Sequence, residues 1–210
     1  TRSFHVTGVQ TCALPIYAPE VQALSFSDDG EVSGPLVFAG YGLIVPESQG
    51  YAYDSYATLD VKDKIVVVLR YFPEDADQST RAILARYSDL RYKAMAARQR
   101  GARAIVVVTG PRSPNAGLTI PMSFDTAIAG SGIAALSMTG TVADALFAGA
   151  ARRAGTAVPS LRDIQQQLDS GNPHVAGFTM PGITVTLKAA VVRERQRARN
   201  VVAYLPAAGG

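Results

Sequence analysis

Two unbroken apolar runs mark the middle of the chain. Ile65 to Leu69, "IVVVL", and Ala104 to Val108, "AIVVV", are mostly β-branched and carry no polar residue at either alternate position. Runs of this kind predict strands covered on both faces. Between them Ile83, Tyr87, Leu90, Ala94 and Ala97 recur at helical spacing, with Arg86, Arg91, Lys93 and Arg98 largely off the stripe. The spacing predicts one amphipathic helix with a solvated basic face. Ser79 or Thr80 is placed to cap its start, and Gly101 to take the left-handed turn that ends it. Strand, helix and strand in succession predict a parallel pair with a right-handed crossover.

The flanking pattern extends this picture. Leu36 to Ala39 reads as a short strand, followed from Tyr41 by a Gly-, Pro- and Tyr-rich excursion. Gly132 to Met138 reads as another strand, running into a short helix that Thr139 or Thr141 can cap, with Val142, Leu146 and Phe147 inward. In "VPSLRDIQQQLDSG" Ser160 precedes Asp163 by three residues and Gly171 follows, the start and stop signals of a helix. Ile183, Val185, Leu187, Ala189 and Val191 alternate with Thr184, Thr186 and Lys188, as in a long half-buried strand. Thr109 to Gly132 reads as mostly loop, and Val201 to Leu205 as a last strand after the basic connector "RERQRARN". The fold class is α/β.

Composition narrows the function classes. With 210 residues, 48% of them hydrophobic, the chain can bury the core of one large domain or two small ones. It has no run of about 18 apolar residues and no charged segment leading into an apolar one, so no membrane span or leader is read. The net charge of +3 comes without blocks of like charge, which argues against nucleic acid as a partner. At the N-terminus, Val6 to Ile16, "VTGVQTCALPI", resembles the read-through translation of a sequencing-adapter oligonucleotide. That resemblance implies that Thr1 to Ile16 are a scar and that the natural sequence begins near Tyr17. Cys12 and His5 would go with it, leaving no cysteine for disulfides, thiol chemistry or zinc, and His174 as the remaining histidine.

The candidate chemistry is sparse. Asp60, Lys62, Asp63 and Lys64 crowd the start of the first apolar run; the local sequence offers no apolar pocket to lower a lysine pKa, so turn and strand-edge roles are expected of them. "GYG" at Gly40 to Gly42 follows a strand, but a third glycine is missing and Pro46 blocks the helix that a dinucleotide fingerprint needs. Ser123, Ser131 and Ser137 have only His174 as a possible base, and no nucleophile-elbow motif is present. His174 in "GNPH" reads as a loop histidine. Asp54 and Asp60 could hold calcium with backbone carbonyls, though without the dense acidic spacing of a recognised loop. Tyr41, Tyr51, Tyr53 and Tyr56 could form an aromatic contact surface or simply pack in the core and its rim.

Taken in order, "LVFAGYGLIVPE", "YDSYATLDVKDKIVVVLR", "RYKAMAARQRGARAIVVVTG", "GIAALSMTGTVADALFA" and "RNVVAYLP" resemble the protease-associated (PA) domain of secreted bacterial zinc aminopeptidases of metallopeptidase family 28. The likeness runs from Leu36 to Pro206, and "DVKDKIVVVLR" with "RGARAIVVV" carries most of it. It implies an α/β (α+β) PA-domain fold: a mixed β-sandwich or open barrel with flanking helices and one parallel strand-helix-strand unit. The implied organisation is a scar over 1–16, a PA domain over 17–192, and over 193–210 a linker with the first strand of a truncated catalytic domain. The implied role is non-catalytic, bordering an active site and influencing peptide access or protein contacts, with a peptidase domain in cis as partner and secretion or the periplasm as location. The two zinc ions and their ligands would lie beyond Gly210, so no catalytic, cofactor-binding or metal-binding residue is carried over. Two other readings stay open: a PA-type binding module of a non-peptidase surface or receptor protein, and an α/β enzyme using Asp54, Asp60 or His174.

Overall fold

In the computed structural model, which describes residues 20–123, 130–155, 159–170 and 177–192, a six-stranded mixed sheet organises the chain. Its strands are β1 (Val21–Ala23), β2 (Gly30–Phe38), β5 (Ile65–Leu69), β6 (Ala104–Val108), β7 (Ala134–Met138) and β8 (Phe178–Ala189), in the spatial order β1-β7-β6-β5-β2-β8. A separate two-stranded sheet, β3 (Ile44–Val45) with β4 (Tyr53–Asp54), forms the tyrosine-rich excursion. The class is the α/β one that the apolar runs predicted.

The central runs behave as expected. Every residue of β5, β6 and β7 is buried, and β2-β5, β5-β6 and β6-β7 all pair in parallel. Antiparallel β1 and β8 close the two edges. Side-chain alternation divides the interior into two clusters. Ile65, Val67 and Leu69 face one side, with β8 and the helices α3 (Gly140–Ala154) and α4 (Leu161–Asp169). Val66 and Val68 face the other, against Ala94, Ala96 and Ala97.

The predicted single helix is two, α1 (Gln78–Arg86) and α2 (Leu90–Gln99), interrupted at Tyr87–Asp89. Burial gives the reason. Leu84, with Ile83 and Tyr87 beside it, packs on the first cluster, whereas Leu90 and Ala94 pack on the second. One straight helix could not present a single stripe to both faces of a sheet. The caps also differ from expectation. Asp77, not Ser79 or Thr80, accepts the orphan amides of α1, from Ser79 N and Thr80 N, and Asp89 does the same for α2 from Arg91 N and Tyr92 N. Elsewhere the signals hold: Thr139 caps α3, Ser160 caps α4 with Asp163, and Gly101 sits at φ 82° after α2. Val201 to Leu205, Gly171 and His174 lie outside the described residues.

Four parallel strands running the same way place four connections on one edge of the sheet. These are the turn after β2, the loop from β5 to α1, the long loop after β6 and the start of α3. In open α/β sheets the carboxyl ends of the strands are where sites are built.

Candidate functional site

Tyr41 stands at the centre of that edge. The glycines that flank it take left-handed angles, φ 53° at Gly40 and 63° at Gly42, and a Cβ on Gly42 would lie 2.7 Å from Val68 Cγ1. The "GYG" sequence is thus a tight turn that brings the backbone against β5 and buries the Tyr41 ring completely. Its hydroxyl donates to Asp169 Oδ1 and accepts from Gln165 Nε2 at 3.1 Å.

Asp169 and Gln165, both fully buried on α4, knit the loops together. Gln165 Nε2 also donates to Ser113 Oγ at 2.8 Å, and its Oε1 accepts from Arg112 N at 2.9 Å. Arg112 Nε donates to Asp169 Oδ2 at 2.6 Å while its Nη2 reaches Asp75 Oδ2 at 2.8 Å. Asp75 N in turn donates to the Asp169 carbonyl at 3.0 Å. The backbone approaches so closely here that a Cβ on Gly110 would overlap the Gln165 amide at 2.3 Å. Burial, then Asp169, pushes the Tyr41 hydroxyl far above the ordinary phenol range; the bond to Asp169 holds the Arg112 guanidinium up as well. Glu74 is raised by burial and by the Asp169 charge.

Lys93 lies beneath the same turn. It is fully buried, its Nζ donating to Leu69 O at 2.8 Å and Tyr71 O at 2.6 Å, 5.7 Å from the Tyr41 ring centroid. Tyr71, whose carbonyl accepts one of these bonds, takes φ 68°. Burial draws the Lys93 ammonium down to about 7, with Asp89 opposing. The sequence pattern had placed Lys93 off the apolar stripe, among solvated bases. The structure reverses this: it lies three residues beyond Leu90 and four before Ala97, on the buried face of α2.

The residues singled out from the sequence are not brought together. Asp60 and Lys64 pair at 2.7 Å and Asp63 and Arg103 at 3.2 Å on the amino edge of the sheet, opposite the candidate site. Asp54 pairs with Arg100 at 2.8 Å and accepts from Tyr56 N. With each acid engaged by its own cation, Asp54 and Asp60 do not form a shared cation site. Ser131 Oγ donates to Ile133 O, Ser137 Oγ accepts from Ile120 N, and Ser123 is exposed. Of the four tyrosines Tyr41, Tyr51, Tyr53 and Tyr56, three are core and Tyr51 is half-buried, so packing describes them better than a contact surface. Among the described residues no three His, Cys, Asp or Glu side chains come together as a metal-holding group.

Beside the network, the loop after β6 and the first turns of α3 and α4 enclose a cleft of about 290 Å³. It is lined by Thr109, Pro111, Ala116, Gly117, Gly140, Thr141, Asp144, Leu161 and Arg162. Sequence reasoning missed both features, yet a signal for the network existed. Leu161, Ile164, Gln165, Leu168 and Asp169 form one buried stripe, in which two polar residues occupy apolar positions.

Comparison with known proteins gives three results. The protein-family model described as the PA domain matches residues 32–146. No curated protein matches the chain. Among solved structures, an aminopeptidase from Aneurinibacillus sp. strain AM-1 is similar at 20% identity and a TM-score of 0.44, over 80% of this chain and 27% of that one. A zinc aminopeptidase from Bacillus subtilis is similar at 19% identity and a TM-score of 0.41, over 69% of this chain and 28% of that one. The chain therefore spans little more than a quarter of either.

Proposed function

Because the chain belongs to the PA domain family, we propose that it is the accessory, non-catalytic part of a secreted or periplasmic zinc aminopeptidase of metallopeptidase family 28. In this reading residues 17–192 are the PA domain, 193–210 lead into the catalytic domain, and 1–16 are foreign to the natural sequence. The zinc ions belong to the attached domain, since the acids described above are engaged by arginine, lysine and backbone amides rather than left as a converging donor set. The domain would border the active-site entrance and influence which peptide ends reach it.

One observation carries the non-catalytic part of the reading. The polar groups of the network at the carboxyl edge of the sheet satisfy one another: Asp169 takes Tyr41, Arg112 and the Glu74 amide, and Gln165 takes Tyr41, Ser113 and Arg112. Groups so engaged hold loops in place and leave no activated nucleophile or base facing solvent. The family and zinc assignment is supported by the ordered resemblance from Leu36 to Pro206.

The test is to read the source DNA downstream of the codon for Pro206 and to assay the purified chain, with zinc, on aminoacyl p-nitroanilides. The expected outcome is a continuing frame with His, Asp and Glu at di-zinc ligand positions, and no turnover by the chain alone. A stop codon or a membrane-spanning segment downstream would instead establish the non-peptidase binding module. Turnover lost on Asp54→Asn or Asp60→Asn would establish an enzyme in its own right.

A further inference from the structure

The cleft beside the network has fixed walls. Thr109 Oγ1 donates to Leu118 O at 2.9 Å and Gly117 N to Thr109 O at 3.0 Å, so the loop after β6 closes on itself. Gly140 N donates to Gly117 O at 2.9 Å, and a Cβ on Gly140 would lie 3.0 Å from Gly117 Cα, which fastens this loop to the head of α3. On the other side Arg112 N is held by Gln165, one turn beyond the buried Leu161, which fastens it to α4. A ligand would meet these walls already formed and would bear little ordering cost.

The charges on those walls are of opposite sign. Asp144, on the second turn of α3, and Arg162, at the second position of α4, line the same cleft from different helices, and both are exposed. Neither has an ion-pair partner among the described residues. The position of Arg162 is also electrostatically adverse, because a cation in a first helical turn opposes the positive end of the helix dipole. A carboxylate bound there would relieve that opposition and accept a forked pair of bonds from the guanidinium. An ammonium would pair with the Asp144 carboxylate, which lines the same cleft from α3. The volume of about 290 Å³ lies at the small end of ligand sites.

We propose that this cleft binds a small zwitterion, a free α-amino acid or a dipeptide, with its carboxylate on Arg162 and its ammonium on Asp144. The site lies on this domain itself and does not rest on the peptidase reading, which would survive its failure. Two separated charges of opposite sign distinguish it from an anion site, which needs only the arginine, and from a cation site, which needs only the acid. Pro111, Ala116 and Leu161 supply the apolar contact that a side chain would use.

The test is an amide-shift titration of the isotope-labelled chain with L-alanyl-L-alanine, repeated with its N-acetyl and C-amide forms and with inorganic phosphate. Saturable shifts are expected at Thr141, Asp144 and Arg162 with the free dipeptide. Blocking either end of the dipeptide should weaken binding about tenfold, the equivalent of about 1.4 kcal/mol. Asp144→Asn and Arg162→Gln should each do the same, and neither variant should melt below the parent, because the side chains are exposed and Arg162→Gln removes an adverse charge at the helix start. Equal binding of blocked and free dipeptides would overturn the proposal, as would phosphate shifts that match the dipeptide's or an absence of shifts in the cleft.

Discussion

Lys93 shows how much a single position can alter an otherwise simple helix. An ammonium without solvent is costly unless hydrogen bonds replace its water, and here two carbonyls and the face of Tyr41 do so. In the unfolded chain its proton is held up to the ordinary lysine value of 10.5, but in the folded chain only to about 7. Between those values unfolding takes up a proton, so this residue's contribution to stability rises with pH and is lowest below about pH 7, where the buried charge is at full cost. Lys93→Met removes that dependence. Urea unfolding from pH 7 to 10 should show the parent gaining on Lys93→Met by up to about 1.4 kcal/mol per pH unit. A constant difference across that range would mean that the amine stays charged in the fold. The spacing to Leu90 and Ala97 fits the buried stripe, although the sequence reading sets Lys93 off it among the solvated bases. Its long polar side chain argued for solvent, and only the carbonyls of Leu69 and Tyr71, distant in sequence, reverse that.

At the scale of elements, helix breaks and helix anchors depend on partners far along the chain. The periodicity from Ile83 to Ala97 is continuous in sequence, yet the stripe changes faces of the sheet at Tyr87–Asp89, and Asp89 caps the new start. Asp89→Ala should therefore destabilise the fold by about 1 kcal/mol, read as a lower urea midpoint with unchanged slope. If α1 and α2 were one helix, Asp89 would be an interior residue and alanine there would stabilise. The link between α4 and the loop after β6 depends on Arg112, whose partner Asp169 is fully buried. Arg112→Met leaves a buried carboxylate short of its cation and should lower the urea midpoint. Limited proteolysis should then cut first within 109–118, the loop that loses its tether. Cleavage elsewhere would show that the network is not what fixes this loop.

For the molecule as a whole, three buried phenols set an alkaline limit. Burial raises the Tyr41, Tyr53 and Tyr56 hydroxyls well above the ordinary value of 10.0, Asp169 adding to the first. Above about pH 10 the unfolded chain loses these protons and the folded chain keeps them, so stability falls with rising pH, by up to about 1.4 kcal/mol per pH unit for each group. Tyrosinate absorbance from these three should appear only together with unfolding; ionisation in the folded state would show that the turn at Gly40–Gly42 and the sheet β3-β4 open to water. By itself the sequence determined the strands β5, β6 and β7, the long alternation of β8 and the caps of α3 and α4, because each depends on residues within a few positions of one another. It also determined the order of segments that the PA domain family shares. The tertiary structure alone decided which charges meet. The Tyr41–Asp169 contact joins residues 128 positions apart, and the cleft takes its walls from three segments that only the parallel sheet brings to one edge. Local spacing specifies an element and its buried face; the place where polar groups converge depends on how distant elements pack, which no local pattern records.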